Sequence, residues 1–234
     1  MGETGNTQAM PPEASQDGGL SFAGIFKVFY EPTAFFTKLK NNPKVLVPYL
    51  ALAVLLIIFF VMTGDLLVNF SMKAMQERAA SGTPMPSRGM MWGSTVIGGT
   101  IAMLIAPLLI ALLAMLFGNF IMGGAARFKQ LLSFVLYGEI IYGLGMVVNG
   151  ILMVLKNSMF VSLSAGVLMS NPNPQSWVYA LLTKISIFYI WELIALGIGL
   201  SVLYGFSRNK GFVLSVLSVG LLSLIQIAWT AIMA

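Results

Sequence analysis

Two glutamates lie inside long apolar stretches of this sequence, Glu139 and Glu192, and these carboxyl groups are the residues best placed to do chemistry. A charged carboxylate at bilayer depth costs about 2.5 to 3.5 kcal/mol on insertion scales. Each glutamate should therefore face protein, pair with a partner or carry a proton. Their residue type and location indicate a proton- or cation-responsive polar centre between helices.

Three further polar residues complete a candidate intramembrane polar site: Asn149, Lys184 and Gln226. Asn149 shares a helical face with Glu139, while Lys184 lies about two turns before Glu192. From the midpoints of their stretches, Glu192 falls at the bilayer centre and Glu139 about 6 Å toward the cytoplasm, so the two could meet in one layer. Interhelical hydrogen bonding that only fixes the register of the helices is the simpler interpretation. The spacing alone leaves both this interpretation and a responsive polar centre open.

The composition explains why these polar residues stand out. Hydrophobic residues make up 58% of the chain and charged residues 9%, and the mean hydropathy is +0.88. That leaves too little polar surface to coat a water-soluble globule of this size, so lipid must cover it. Residues 45–234 are expected to form one all-α polytopic membrane bundle of five transmembrane helices. The predicted spans are about 45–63, 94–118, 131–155, 178–206 and 212–232.

The N-terminal region differs in composition from the rest. Residues 1–19 are polar and are predicted to be a disordered tail; they hold no Lys, Arg or apolar core, so we expect no cleavable signal peptide. Residues 20–44 mix aromatics with lysines and predict an interfacial amphipathic segment that breaks at Glu31-Pro32 and ends at Asn41-Asn42-Pro43. Its expected anchors to anionic headgroups are Lys27, Lys38, Lys40 and Lys44. Recruitment of a cytoplasmic partner is the alternative.

Small residues recur every four positions along the second span. The small-residue stripe, as we call it, consists of Ser94, Gly98, Ala102 and Ala106, and Ala114 and Gly118 continue the spacing. Small side chains let helix backbones approach closely, so the stripe predicts helix packing. The partner could be another span of this chain or a second protein.

Several classes of function are excluded by what the sequence lacks. It has no Cys and no His, which removes disulfides, thiolate metal sites, a cysteine nucleophile and the usual general base. We therefore expect no catalytic residues, no metal site and no cofactor. The net charge of +5 includes no dense basic run, so we expect no nucleic-acid partner and attribute the charge to membrane orientation.

The basic residues predict that the N-terminus is cytoplasmic and the C-terminus extracytoplasmic. In this orientation the inner segments hold Lys27, Lys38, Lys40, Lys44, Arg127, Lys129, Arg208 and Lys210, and the outer segments hold Lys73, Arg78, Arg88, Lys156 and Lys184. The bias follows the positive-inside rule, because the short inner loops are densely basic. A bacterial cytoplasmic (inner) membrane is the expected location.

The run from Phe29 to Leu39, FYEPTAFFTKL, is followed by Pro43 and Pro48 at the start of the first span. Together with the Gly123-Gly124 turn before Phe128 and the five predicted spans, this run resembles bacterial members of the YIP family, the Ypt/Rab-interacting-protein-like membrane proteins. Eukaryotic relatives bind small GTPases largely through a longer cytosolic N-terminal region, so the resemblance does not carry Rab-type GTPase binding to this chain. Bacterial relatives are mostly of unassigned function, and some resemble accessory partners of export systems.

Two hypotheses of different class follow. The first is a non-enzymatic membrane scaffold or accessory subunit that associates through its helices with itself or with a transport or trafficking complex. It is motivated by the small-residue stripe, the missing catalytic groups and the resemblance. The alternative is a small transporter or channel that uses Glu139 and Glu192 as a coupling or ion-coordinating site. An enzyme is not expected, because two isolated glutamates lack a nucleophile or a metal set.

Overall fold

The structure, a computed structural model, describes residues 26–78, 84–174 and 176–233. The tail expected at 1–19 and the first residues of the interfacial segment lie outside the described residues. Within the described part of the chain all regular structure is helical, apart from an isolated antiparallel bridge between Ser164 and Ser186. The all-α prediction is confirmed.

The helices of the described chain are numbered in chain order. They are α1 (Lys27–Tyr30), α2 (Pro32–Asn41), α3 (Leu46–Arg78), α4 (Arg88–Ile121), α5 (Phe128–Lys156), α6 (Trp177–Lys184), α7 (Ile187–Tyr204) and α8, which runs from Arg208 to Met233. Helix α4 contains π-helical turns at Ser94–Gly98 and Leu116–Ile121, and α8 contains one at Val216–Gly220. A 3-10 turn, Ala165–Leu168, lies in the loop between α5 and α6.

Five of these helices, α3, α4, α5, α7 and α8, are long and apolar enough to cross a membrane. The prediction of a five-span membrane bundle is therefore confirmed. Helix α3 has 33 residues, which corresponds to about 50 Å at the rise of an α-helix and exceeds the hydrocarbon core of a bilayer. Where the bilayer begins and ends along each helix stays a prediction.

Helix α5 lies at the centre of the bundle. In its most apolar stretch of 18 residues 72% are buried, against 28% in α3 and in α4. Glycine permits this packing on two sides, because a Cβ at Gly145 would collide with the Phe188 ring of α7 and one at Gly150 would lie 2.6 Å from Met62 of α3. Helices α3, α4 and α7 pack directly against α5, and α8 packs against α7 and α4.

The N-terminal segment packs into one end of the bundle, which we call the N-terminal end. The predicted break is confirmed, since α1 stops at Tyr30 and α2 begins at Pro32. The Phe36 side chain is fully buried, and its ring stacks on Phe134 of α5 with 5.0 Å between centroids. Phe35 meets the Tyr137 ring edge-on at 4.7 Å. Protein, not lipid, therefore covers the aromatic face of α2.

The four lysines predicted as interfacial anchors have different environments. Lys38 is exposed, whereas Lys27 and Lys44 are partly buried. The Lys40 ammonium donates a hydrogen bond of 3.0 Å to the carbonyl oxygen of Val202 near the end of α7, where the helix dipole favours a cation. Lys40 thus fastens α2 to the bundle, and binding of these lysines to headgroups stays a prediction.

The predicted span 178–206 contains two helices, α6 and α7, with a break at Ile185 and Ser186. Ser186 Oγ accepts a hydrogen bond from the Tyr189 backbone N–H at 3.1 Å and so caps the start of α7. The Ile185 carbonyl accepts a hydrogen bond from the Ala165 N–H of the α5–α6 loop at 2.9 Å. These bonds satisfy backbone groups that a break at membrane depth would otherwise leave unpaired.

Candidate functional site

The two intramembrane glutamates meet between α5 and α7. Glu139 is 7% exposed and Glu192 is 2% exposed, and both side chains line the same small cavity between the two helices. Gly138 lies at this contact, where a Cβ would be in ordinary van der Waals contact with Leu196 Cβ at 3.5 Å and with Glu192 Cγ at 3.9 Å. The structure therefore brings together the two residues that, from the sequence, could meet in one layer. We refer to them as the carboxyl pair.

One oxygen of the pair has no hydrogen-bond partner in the described part of the chain. This atom is Glu192 Oε1, which is fully enclosed. Both glutamates line a cavity of about 80 Å³, which we call the pair cavity. Its wall is completed by α4, α6 and α8, which contribute Met103, Ala106, Ile110, Lys184, Ser223 and Gln226 among others. A buried acceptor without a donor is unusual in a folded protein and calls for an explanation.

Lys184 brings the positive charge to the site from the end of α6. Its Nζ donates a hydrogen bond of 3.1 Å to Gln226 Oε1 of α8 and lies 5.9 and 5.7 Å from the ring centroids of Tyr142 and Tyr189. Lys184 lines the pair cavity together with both glutamates. A lysine two turns before Glu192 on an unbroken helix would lie about 12 Å away along the axis. The break before α7 removes that constraint.

Tyr189 is a site residue that sequence reasoning missed. Its hydroxyl lies 2.9 Å from Ser223 Oγ and links α7 to α8, while its ring supports the Lys184 ammonium. Its spacing could have identified it from the sequence, since Tyr189 is three residues before Glu192 and therefore close to it on the helix surface. Tyr142, one turn after Glu139, has the matching position on α5.

Asn149 does not join the carboxyl pair. Its Oδ1 accepts a hydrogen bond of 2.8 Å from the Leu163 N–H and so holds the α5–α6 loop. Asn149 instead lines a second cavity of about 190 Å³ at the end of the bundle where this loop lies, which we call the loop-end cavity. The polar residues lining it include Tyr142, Asn149, Ser162, Ser164, Thr183 and Lys184.

The two cavities adjoin each other. Tyr142 and Lys184 line both, so these two side chains form the partition between the loop-end cavity and the carboxyl pair. On the other side of the pair Leu136, Leu196 and Leu200 are fully buried. Tyr137 is also fully buried there, with its ring against Phe35 of α2 and its hydroxyl without a hydrogen-bond partner in the described chain. The pair therefore has polar surroundings toward the loop end and a closed, mainly apolar layer toward the N-terminal end.

The region that forms this site coincides with a known domain. A sequence model of the Yip1 domain matches residues 26–230, which is most of the chain. The chain belongs to the Yip1 family. The resemblance drawn from the N-terminal run and the five spans is thereby confirmed. The match includes the carboxyl pair, Lys184 and Gln226, so the polar site lies within the family domain.

This Yip1-family chain is similar to a bacterial protein whose name describes it as a membrane protein. The chain is 28% identical over 208 residues to the protein named membrane protein YknW of Bacillus subtilis strain 168, covering 85% of this chain and 86% of the relative. The relative's name states that it is a membrane protein, in agreement with the five apolar helices. No solved structure matches the chain.

In this Yip1-family chain, part of the small-residue stripe is exposed and part is buried within the bundle. Ser94, Gly98 and Ala102 are exposed on α4, whereas Ala106 is partly buried and lines the pair cavity. Nothing in the described chain lies within 4 Å of the position that a Cβ on Gly98 would occupy. The neighbouring Gly99 points inward, where a Cβ would lie 2.6 Å from the Phe60 ring of α3. The stripe therefore packs inside the chain only from Ala106 onward.

Proposed function

We propose that this Yip1-family protein is a non-enzymatic integral membrane scaffold or accessory subunit. It acts through helix–helix association with itself or with a transport or trafficking complex. The observation that supports this function best is the open face of α4, where Ser94, Gly98 and Ala102 have no covering helix in the described chain. Its place is a bacterial cytoplasmic membrane with the N-terminal end facing the cytoplasm, as the basic residues favour.

The open face has the shape that membrane helices use for close association. Ser94, Gly98 and Ala102 form a groove of small side chains, and the exposed Ile97 and Ile101 form a ridge beside it. Lipid tails are as apolar as these side chains, so association in a membrane depends on close packing and not on burial of apolar surface. The π-helical turn Ser94–Gly98 lies in the same segment, and such turns are frequent at functional sites.

Gly98→Leu is expected to weaken association about tenfold, equivalent to about 1.4 kcal/mol, because the added side chain fills the groove. Energy transfer between labelled copies in liposomes measures self-association, and copurification from native membranes after gentle crosslinking measures other partners. Ala228→Leu is the matched control, since Ala228 is an exposed position on α8. An unchanged association for Gly98→Leu, or recovery of monomer alone from parent membranes, would count against the scaffold.

A second candidate function, a small transporter or channel, is favoured by the carboxyl pair beside two adjoining polar cavities. Glu139→Gln or Glu192→Gln is expected to reduce flux at least tenfold in proteoliposomes if the pair couples or coordinates the transported ion. The measurement is ion flux under an imposed gradient, with liposomes lacking protein as the background. A correctly folded parent without flux above that background contradicts transport.

A further inference from the structure

We propose that Glu139 and Glu192 together bind one proton, and that it reaches them from the loop-end cavity past Lys184. Proton binding requires neither association nor flux, so it is independent of both proposed functions. It would give a scaffold or a transporter of this family a sensor of the proton concentration on one side of the membrane.

Charge balance sets the number of protons at one. The titratable side chains that face the pair cavity are the two glutamates, Lys184, Tyr142 and Tyr189. Helix α4 presents Met103, Ala106 and Ile110, and α8 presents Val219, Leu222, Ser223 and Gln226, none of which is charged. Two ionised carboxylates and the Lys184 ammonium leave a net charge of −1 in the membrane interior. One bound proton makes the site neutral and avoids an uncompensated buried charge.

The geometry of the pair has a place for that proton. Two neighbouring carboxyl groups can hydrogen-bond to each other only when one of them is protonated, and Glu139 and Glu192 line the same small cavity between α5 and α7. The second independent observation is Glu192 Oε1, which is enclosed, lacks a partner in the described chain and belongs to a residue lining the pair cavity. A hydronium ion that enters the cavity transfers a proton to one carboxylate of the pair and leaves a water molecule.

The same surroundings disfavour a metal ion or an organic ligand. Hard cations take about six oxygen ligands, yet Ser223 Oγ is bonded to Tyr189 and Gln226 Oε1 accepts from Lys184. The described residues contain no group of three acidic, His or Cys side chains that could hold a metal. A cavity of about 80 Å³ is also far below the roughly 300 Å³ at which small-molecule sites begin.

Access is one-sided because of how the two ends of the bundle are packed. Toward the loop end, Tyr142 and Lys184 separate the pair cavity from a polar cavity large enough for several waters. Toward the N-terminal end, Leu136, Leu196 and Leu200 are fully buried beneath α2. Protons therefore exchange with the solution at the loop end.

Infrared difference spectroscopy of the protein in nanodiscs tests the binding. The parent is expected to show a deuterium-sensitive band of one protonated carboxyl group that decreases as the pH is raised. Glu139→Gln and Glu192→Gln should each remove it, since one carboxylate and the Lys184 ammonium are already neutral together. Lys184→Met should add a second protonated carboxyl, since two protons then restore neutrality. A parent spectrum without such a pH-dependent band overturns the proposal even where a variant fails to fold. So does a band that sodium ions remove at constant pH.

Single-cysteine labelling tests the route, and the natural chain has no Cys to interfere. In proteoliposomes, a small charged thiol reagent should modify Met146→Cys and, more slowly, Ala106→Cys from the side that labels Leu168→Cys in the exposed loop. Leu109→Cys on the exposed face of α4 is the control and should not react, because a thiol in lipid does not ionise. Modification of Ala106→Cys only from the side that labels Lys38→Cys overturns the route. Lack of association or of flux leaves both results unaffected.

Discussion

Gly211→Ala should destabilise the protein by about 3 kcal/mol, because the added methyl group has no space between α7 and α8. A Cβ at Gly211 would lie 2.6 Å from Ser201 Cβ and 2.8 Å from the Ser201 backbone nitrogen, and it would also collide with the Gly197 carbonyl oxygen. The contact is reciprocal, since a Cβ at Gly197 would lie 2.9 Å from the Phe212 Cα. Two helix backbones touch at this point, so no flexible side chain can move aside.

Equilibrium unfolding of the parent and of Gly211→Ala in mixed micelles measures the difference in free energy. The matched control is Gly98→Ala, which makes the same substitution in a transmembrane helix where nothing lies within 4 Å of the new methyl group. That control should change the free energy of unfolding by less than about 0.5 kcal/mol. Equal stabilities of Gly211→Ala and the parent would mean that α7 and α8 are not packed backbone to backbone.

The loss of the α7–α8 contact would also affect the site. Ser215 Oγ of α8 donates to the Leu193 carbonyl oxygen of α7 at 2.9 Å, and the Tyr189–Ser223 bond lies further along the same interface. Both bonds depend on the distance that the glycines set. Gly211→Ala should therefore disturb the support of Lys184 as well as global stability.

The five spans could be predicted because lipid exposure leaves a strong signal in composition. Long apolar stretches must be helical in a membrane, since every backbone group has to be paired within its own segment. The break between α1 and α2 was equally readable, because Pro32 fits the first position of a helix and restricts the residue before it. Those features are local and need no knowledge of the neighbouring helices.

The break between α6 and α7 could not be predicted in the same way. Neither Ile185 nor Ser186 is a Gly or Pro, and the apolar sequence resumes directly after them. The break is held by Ala165, some twenty residues earlier, whose N–H reaches the Ile185 carbonyl. Because this long-range bond decides where Lys184 lies, the sequence could name Lys184 as a candidate site residue but could not place it beside the carboxyl pair. The meeting of Glu139 and Glu192 was foreseen only as a possibility, since helix periodicity gives depth but not the neighbouring helix.

The lysine-rich N-terminal segment shows a similar limit. Its aromatic residues and lysines are typical of a helix lying at a membrane surface, and the sequence does not tell whether lipid or protein meets the aromatic face. The structure places α5 and α7 against that face, where Gly199 provides space for the Phe36 ring. An amphipathic pattern thus predicts a buried face without identifying what buries it.

Phe36→Ala is expected to destabilise the protein by about 3 to 4 kcal/mol, because it leaves a cavity in a fully packed layer. The Phe36 side chain is fully buried, stacks on Phe134 and lies against Gly199 of α7. Equilibrium unfolding in mixed micelles measures the loss. Tyr30→Ala is the control, since Tyr30 is an aromatic of the same segment that is 65% exposed, and it should cost less than about 1 kcal/mol.

A double-mutant cycle with Gly199→Ala separates packing from a general effect on α2. The nearest Phe36 ring atoms would lie 3.0 Å from a Cβ at Gly199, so Gly199→Ala alone should destabilise the protein by about 1 to 2 kcal/mol. In the Phe36→Ala background the added methyl group enters the vacated space, and the same change should be neutral or stabilising. Additive losses would show that Phe36 and Gly199 do not pack against each other. A favourable coupling of at least about 1 kcal/mol would establish that α2 is an integral layer of the bundle and closes it beneath the carboxyl pair.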